Sequence, residues 1–217
     1  MASKASIRKE LIWEAYAAIE PGLTKLGFKK VRPGFYRCAL GQEVSGWLVL
    51  GQVSGTHESS MGIFPQIALL FDQIERLRAS IDNREQDPDQ LTFGYPLYLI
   101  MANPKKDNTW ELGLTVDNRV VVLDLLVAIE TYAVPFLNKF TDLASLRRYV
   151  DEGHSFPNMS YVLPMTHYAM GNVANARRSL AEFLNAAQQS PSPIYGKTYS
   201  EFADRFAQLM NGRITAG

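Results

Sequence analysis

Residues 43–54, EVSGWLVLGQVS, and residues 59–71, SSMGIFPQIALLF, decide how this chain folds. Both runs are rich in branched and aromatic side chains, and a glycine-containing turn separates them. With FYRCAL at 35–40, preceded by a short strand at Phe28–Val31, they read as an antiparallel β-meander. Along the middle run Trp47 shares a face with Val49 and Val53, while Leu48 and Leu50 take the other. Both faces are apolar, which predicts a strand covered on both sides by helices, a second layer or a partner. Pro65 has no amide hydrogen to give to a ladder, so its position predicts an edge or a bulge.

Outward from the meander the period changes from two to 3.6. Ile7, Leu11, Ala15, Ala18 and Ile19 recur at helical spacing, with Ser3 or Ser6 able to cap the start and Pro21 and Gly27 near the end. On the other side, DQIERLRASI (72–81) reads as a short helix. YPLYLIM and TWELGL read as a hairpin across ANPKKDN (102–108). Asp117 or Thr115 is placed to cap a strong apolar helix, RVVVLDLLVAIETYA, that Pro135 ends or bends. TDLASLRRYV (141–150) is a further helix, with Gly153 as its stop.

HSFPNMS (154–160) is the clearest internal boundary. The rest reads as helices over about 158–170, 174–188 and 199–211. Pro164 is expected near a first turn, where its missing donor costs least. Thr198 and Glu201 have the spacing of a capping box. The expectation is an α+β protein: an antiparallel sheet of about five strands packed with helices over 1–152, then a helical C-terminal appendage over 153–217 packed on that body.

Composition narrows the function classes. The chain has 217 residues, 47% of them hydrophobic and 20% charged, as in an ordinary globular protein. Lysine plus arginine balance aspartate plus glutamate, 22 against 22. That balance argues against a nucleic-acid partner, which asks for excess positive charge. The single cysteine, Cys38, excludes an intrachain disulfide and a multi-cysteine zinc site. The first twenty residues lack the apolar core of a signal peptide. The apolar run at 120–134 is interrupted by Asp124 and Glu130 and is short for a bilayer. A cytoplasmic protein with no membrane partner is expected.

Motifs for catalysis are missing. His57, His154 and His167 are the only histidines, and none has a second at i+4 to form a zinc-binding helix face. DEGH (151–154) resembles the acidic box of helicases, but the phosphate loop that such a box works with is absent. GQVSG (51–55) is one position out of register with a nucleophile elbow. No glycine pattern of the dinucleotide-binding type occurs. Cys38 alternates with Tyr36 and Leu40 on one strand face, the setting of a small buried hydrophobe. No metal and no cofactor are expected.

Two resemblances add to this reading. In YAMGNVANARRSLAEFLNAAQQ (168–189), Gly171 and Ala176 keep the spacing of the tetratricopeptide turn. Ala176, Leu180, Phe183, Leu184 and Ala187 form its stripe, so the segment resembles one such repeat. No second copy occurs at a fixed period, and one repeat cannot bury a solenoid core. Over the first 150 residues, LGFKKVRPGFYR, the strand LVLGQVS and the stretch from Val116 to Val150 are similar to uncharacterised bacterial domain families. Some members of these families accompany toxin genes as immunity proteins. The resemblance implies a binding protein and transfers no catalytic residues.

The function expected from sequence is therefore non-enzymatic protein binding, immunity-like, with a homodimer among the partners to consider. The candidate interaction or ligand face comprises Arg37, Trp47, His57, Glu58, Tyr98 and Trp110. The alternative is a small-ligand-binding protein or an enzyme whose site is assembled from dispersed residues such as Arg37, His57, Glu58 and Tyr98.

Overall fold

The computed structural model describes residues 3–57, 60–87, 90–102 and 109–212. The fold is α+β with an antiparallel sheet and a helical C-terminal part. The chain divides into two compact units that do not follow its order. The first holds residues 1–69 and 94–141, the second residues 70–93 and 142–217. Residues 152 and 153, on either side of the boundary read from sequence, both belong to the second unit.

In the first unit, α1 spans Lys4–Lys25. Ser3 caps it by accepting from the Ser6 amide, and Pro21 lies inside it. The sheet follows: β1 Lys29–Arg32, β2 Phe35–Ala39, β3 Val44–Ser54 and β4 Met61–Phe71, then β5 Phe93–Pro96 and β6 Trp110–Leu112. Among the described residues the strand order is β1-β2-β3-β4-β5, with β6 also on β4. β2 and β3 pair antiparallel with Tyr36 opposite Leu48 and Arg37 opposite Trp47.

The expected hairpin between YPLYLIM and TWELGL does not form. After Pro96 the chain enters a 3₁₀ turn at Leu97–Ile100. β6 instead pairs with β4, Trp110 opposite Ile63 and Leu112 opposite Met61. β5 and β6 thus share one edge of β4, since β3 occupies the other. Gly94 of β5 lies against Ile67 and Ala68. Pro65 falls in the gap between them. The Phe64 carbonyl faces Gly51 of β3, so by alternation the Pro65 nitrogen faces the opposite edge, where no ladder partner asks for a donor.

One sheet face is covered by α1 and by the helix after β6. That helix begins as α3, Asn118–Ala128, capped by the Asp117 side chain. It passes through a π turn at Ile129–Ala133 and ends as α4, Val134–Leu137. Pro135 therefore does not stop it. The wide turn just before the proline, in which the Val134 amide reaches back to the Ile129 carbonyl, accommodates a residue that crowds a normal turn.

Contacts on this face are close. A Cβ on Gly22 of α1 would lie 2.3 Å from a Leu126 methyl, so the two helices meet over a bare backbone. A Cβ on Gly46 would fall 2.8 Å from Cys38 Sγ and 3.1 Å from Leu137. The Tyr16 hydroxyl of α1 donates to the Leu50 carbonyl at 2.6 Å, fastening the helix to β3. Tyr36, Leu48, Ile63, Ile67, Leu125 and Ile129 are buried in the first unit.

The second unit contains α2 (Asp72–Asp82), α5 (Leu143–Asp151), α6 (Met159–Ala169), α7 (Val173–Gln188) and α8 (Pro193–Met210). α6 and α7 form the hairpin expected from sequence, and Gly171 turns between them at φ +76. α8 starts six residues before the expected position. Ser192 caps it and Pro193 sits in its first turn, where no amide donor is needed. Thr198 is consequently mid-helix, with its hydroxyl bonded back to the Ile194 carbonyl. Gly196 allows close approach to α7: a Cβ there would lie 3.0 Å from the Ala187 carbonyl oxygen.

Pro164 is not in a first turn. It lies inside α6, and its missing amide leaves the Ser160 carbonyl, four residues back, without a helical donor. The Tyr199 hydroxyl of α8 supplies the bond at 2.8 Å, and the Tyr195 hydroxyl reaches the Ser160 side chain at 3.3 Å. Tyr199 is fully buried and packs among Tyr161, Tyr195 and Phe202. Burial pushes its phenol well above the usual range, with Tyr195 and Tyr161 adding to the rise, so it remains a donor.

Tyr199→Phe should therefore strand a buried carbonyl and cost about 1–3 kcal/mol in urea unfolding. Tyr195→Phe should cost less, because the Ser160 hydroxyl has other routes to a partner. Equal stability of Tyr199→Phe and the native protein would contradict this role.

Candidate interaction surface

The helix 118–137 carries more apolar side chains than its buried side can take up. Val122, Leu125, Ala128, Ile129 and Ala133 point inward. Val120 and Leu123 are each 62% exposed and Val127 is 51% exposed. At 3.6 residues per turn these three fall within a sector of about 60°, one line along the outer side of α3. Leu114, 65% exposed, and Val116, 45% exposed, precede the Asp117 cap and extend the apolar surface at its N-terminal end. Five large apolar side chains so close in sequence form a patch of the kind that marks interaction sites. Arg119 and Glu130 flank it, both exposed. The Asp124 side chain instead accepts from the buried Trp110 indole at 2.7 Å. The helical run Asn118–Leu137 has 20 residues, and an 18-residue stretch within it has a mean hydropathy of 2.0, enough by length and composition alone to cross a membrane. The expectation of a run too short to span counted only residues 120–134. The π turn carries the helix past Pro135.

The residues selected from sequence fall elsewhere. Trp47 is 3% exposed and Trp110 1%, so both tryptophans are core side chains of the first unit. The Trp47 indole nitrogen is buried without a hydrogen-bond partner among the described residues. Arg37 is exposed beside it, 5.8 Å from the ring, and its guanidinium donates twice to the Ser45 hydroxyl. His57 is exposed in the turn beyond β3. It lies ten residues along the chain from Trp47, the partner of Arg37, and the strand part of that path alone is roughly 20 Å. Arg37 and His57 thus do not converge. Tyr98 is half-buried in the 3₁₀ turn with its ring 6.1 Å from Phe64. Glu58 lies outside the described residues.

The turn that carries His57 is organised by Glu111 of β6, a residue that sequence reasoning missed. Its carboxylate accepts from the Thr56 amide at 2.8 Å, the Thr56 hydroxyl at 2.7 Å and the Ser60 hydroxyl at 2.5 Å. Ser60 in turn accepts from the His57 amide. The Ser60 bond first, then Thr56, holds the Glu111 carboxyl below the usual range. Serine and carboxylate meet directly here, with no imidazole between them to take the proton. The arrangement clamps a turn to a strand and provides no activated nucleophile.

A second cluster lies in the second unit. Arg147 of α5 grips both oxygens of Asp151 and donates to Nε2 of His167 on α6 at 2.5 Å. His167 is 5% exposed. An arginine can only donate, so the ring nitrogen that it reaches acts as the acceptor. Burial, then the Arg147 charge and that of Arg178, push His167 below its usual value, and Asp151 opposes them. In the same unit Glu75 of α2 is 1% exposed and paired with Arg78 at 3.0 Å. Burial raises its carboxyl, with Arg78, Thr92 and Arg84 acting against the rise. The Cys38 thiol is pushed up to about 11 by burial and is not a reactive thiolate.

An open groove of about 520 Å³ lies in the first unit beside α1. Arg8, Lys9, Trp13 and Tyr16 form one wall, with Gln52 and Met61 opposite. Among the described residues no group of three or more metal-ligating side chains is placed to hold a metal ion. Comparison with protein-family models, curated proteins and solved structures finds no match to this chain.

The His167 shift has a consequence for stability. Its folded-state value lies below the unfolded value, so the neutral form favours the fold. That contribution is complete above the unfolded value of about 6.5 and is lost as pH falls through the folded value. Urea midpoints should drop on acidification from about pH 7 to pH 5, and His167→Gln should flatten the drop. An unchanged slope in the variant would show that other groups govern this window. Glu111→Ala should release the Thr56 amide, read as faster hydrogen exchange there, with the rest of the sheet unchanged.

Proposed function

We propose that this chain is a non-enzymatic protein-binding protein that docks an amphipathic helix of its partner along α3. The observation that carries the reading is the line of Val120, Leu123 and Val127, all more than half exposed on a helix whose other side is core. Spacings of three and four residues are those of a helix-on-helix seam. Arg119 and Glu130 beside the line provide charges that orient a partner. Resemblance of residues 1–150 to bacterial families, some of them adjacent to toxin genes, makes a toxin the first heterologous partner to test. The enzyme reading has less support: Arg37 and His57 lie at opposite ends of β3, and Glu111 is engaged in clamping a turn.

A photo-crosslinking side chain at position 123 tests this in cells, with position 182 on α7 as the exposed control. A discrete protein adduct at 123 and none at 182 is the expected result. Lipid adducts, or no adduct at 123, would refute protein docking. Leu123→Lys should leave stability within about 0.5 kcal/mol, since the side chain faces solvent, while removing the adduct made from a crosslinker at position 120.

A further inference from the structure

Resting on the docking reading above, we infer that the helix received by α3 is α3 of a second copy of this chain, packed antiparallel about a two-fold axis beside Leu123. A two-fold interface must be self-complementary: each residue i that meets j is matched by j meeting i. The outer face of α3 has this property in its apolar line and in the pair Arg119 and Glu130. Turned end for end, Val120 of one copy meets Val127 of the other, Leu123 meets Leu123 at the axis, and Val127 meets Val120.

The charges obey the same symmetry. Arg119 and Glu130 are eleven residues apart, about three turns, and so lie on the same flank of the apolar line. In an antiparallel pair related by a two-fold axis, like flanks face each other. Arg119 of each copy then meets Glu130 of the other, giving two ion pairs across one seam. The midpoint of Arg119 and Glu130 and that of Val120 and Val127 fall within one residue of each other. A single register therefore satisfies both sets.

Parallel packing about a two-fold axis would instead turn the Arg119–Glu130 flank of each copy toward the opposite flank of the other, so these two charges would not meet. Both side chains are exposed, and among the described residues neither is in an ion pair. Asp124 is exposed on the opposite flank, where its carboxylate accepts from the Trp110 indole. The zero net charge of the chain places no long-range repulsion between two copies.

Sedimentation equilibrium of the full chain tests the inference. The native protein should weigh as a dimer and Leu123→Lys as a monomer, with unchanged far-UV circular dichroism in the variant. Arg119→Glu and Glu130→Arg should each weaken association roughly tenfold, and the double exchange should restore most of it. In a Cys38→Ser background, Leu123→Cys should form an intermolecular disulfide under mild oxidation. A native protein that is monomeric at every concentration overturns self-pairing and leaves heterologous docking to the crosslinking test. A dimer that Leu123→Lys does not disturb overturns self-pairing through α3, and absence of any position-123 protein adduct then refutes the docking reading as well. Loss of association at both single exchanges without recovery in the double variant overturns the antiparallel register.

Discussion

The close approach of α1 and α3 is the constraint on which the first unit depends. Gly22 presents no side chain to Leu126, so the two helices lie against each other and together cover one face of the sheet. That contact fixes the rotation of α3 about its own axis. Val122, Leu125 and Ile129 turn inward, and Val120, Leu123 and Val127 turn outward. A bulkier residue at position 22 would push the helix away or roll it, exchanging one apolar side for another. The exposed line is thus a product of packing against a neighbour, because the helix has more apolar residues than its inner side can bury.

In the second unit the corresponding constraint is polar. Pro164 removes a helical donor in the middle of α6, and the Tyr199 hydroxyl of α8 replaces it. A buried carbonyl without a partner is costly, so this one bond selects how α8 lies against α6. Around it Tyr161, Tyr195, Tyr199 and Phe202 form edge-on and tilted ring pairs, which add dispersion without demanding further donors. The buried Glu75, paired through one oxygen with Arg78, and the Arg147–Asp151–His167 cluster lie in the same unit. They act as fixed polar points in a helical core rather than as reagents.

Much of this was legible in the residues. The period-two runs at 35–71 identify the meander, and the α6–α7 hairpin follows from Gly171 and the Ala176 stripe. Other features were not. β6 reads as the partner of β5, since the two are neighbours in sequence, but strand pairing is decided by which edge stands open. Thr198 and Glu201 have capping-box spacing, yet Ser192–Pro193 offered an earlier cap with a proline where none of its faults matter. Trp47, Arg37 and Trp110 look alike as candidates for a face, because alternation tells which residues share a side and not which side is covered. Glu111 carried no signal at all: its three donors come from Thr56 and Ser60, 55 and 51 residues away.

The sequence by itself determined the class of fold, the position of most helices and strands, the neutral charge balance and the absence of recognisable catalytic motifs. Each of these rests on local periodicity or on composition, which the chain carries wherever it lies in space. Only the tertiary structure decided which apolar side chains of α3 are left facing solvent, which edge β6 joins and which hydroxyl answers Pro164. These depend on contacts between residues far apart in sequence. Periodicity places Leu125 and Ile129 on the inner side, but α3 carries more apolar side chains than one side can bury, so the exposed line became visible only once α1 and the sheet had claimed the other side.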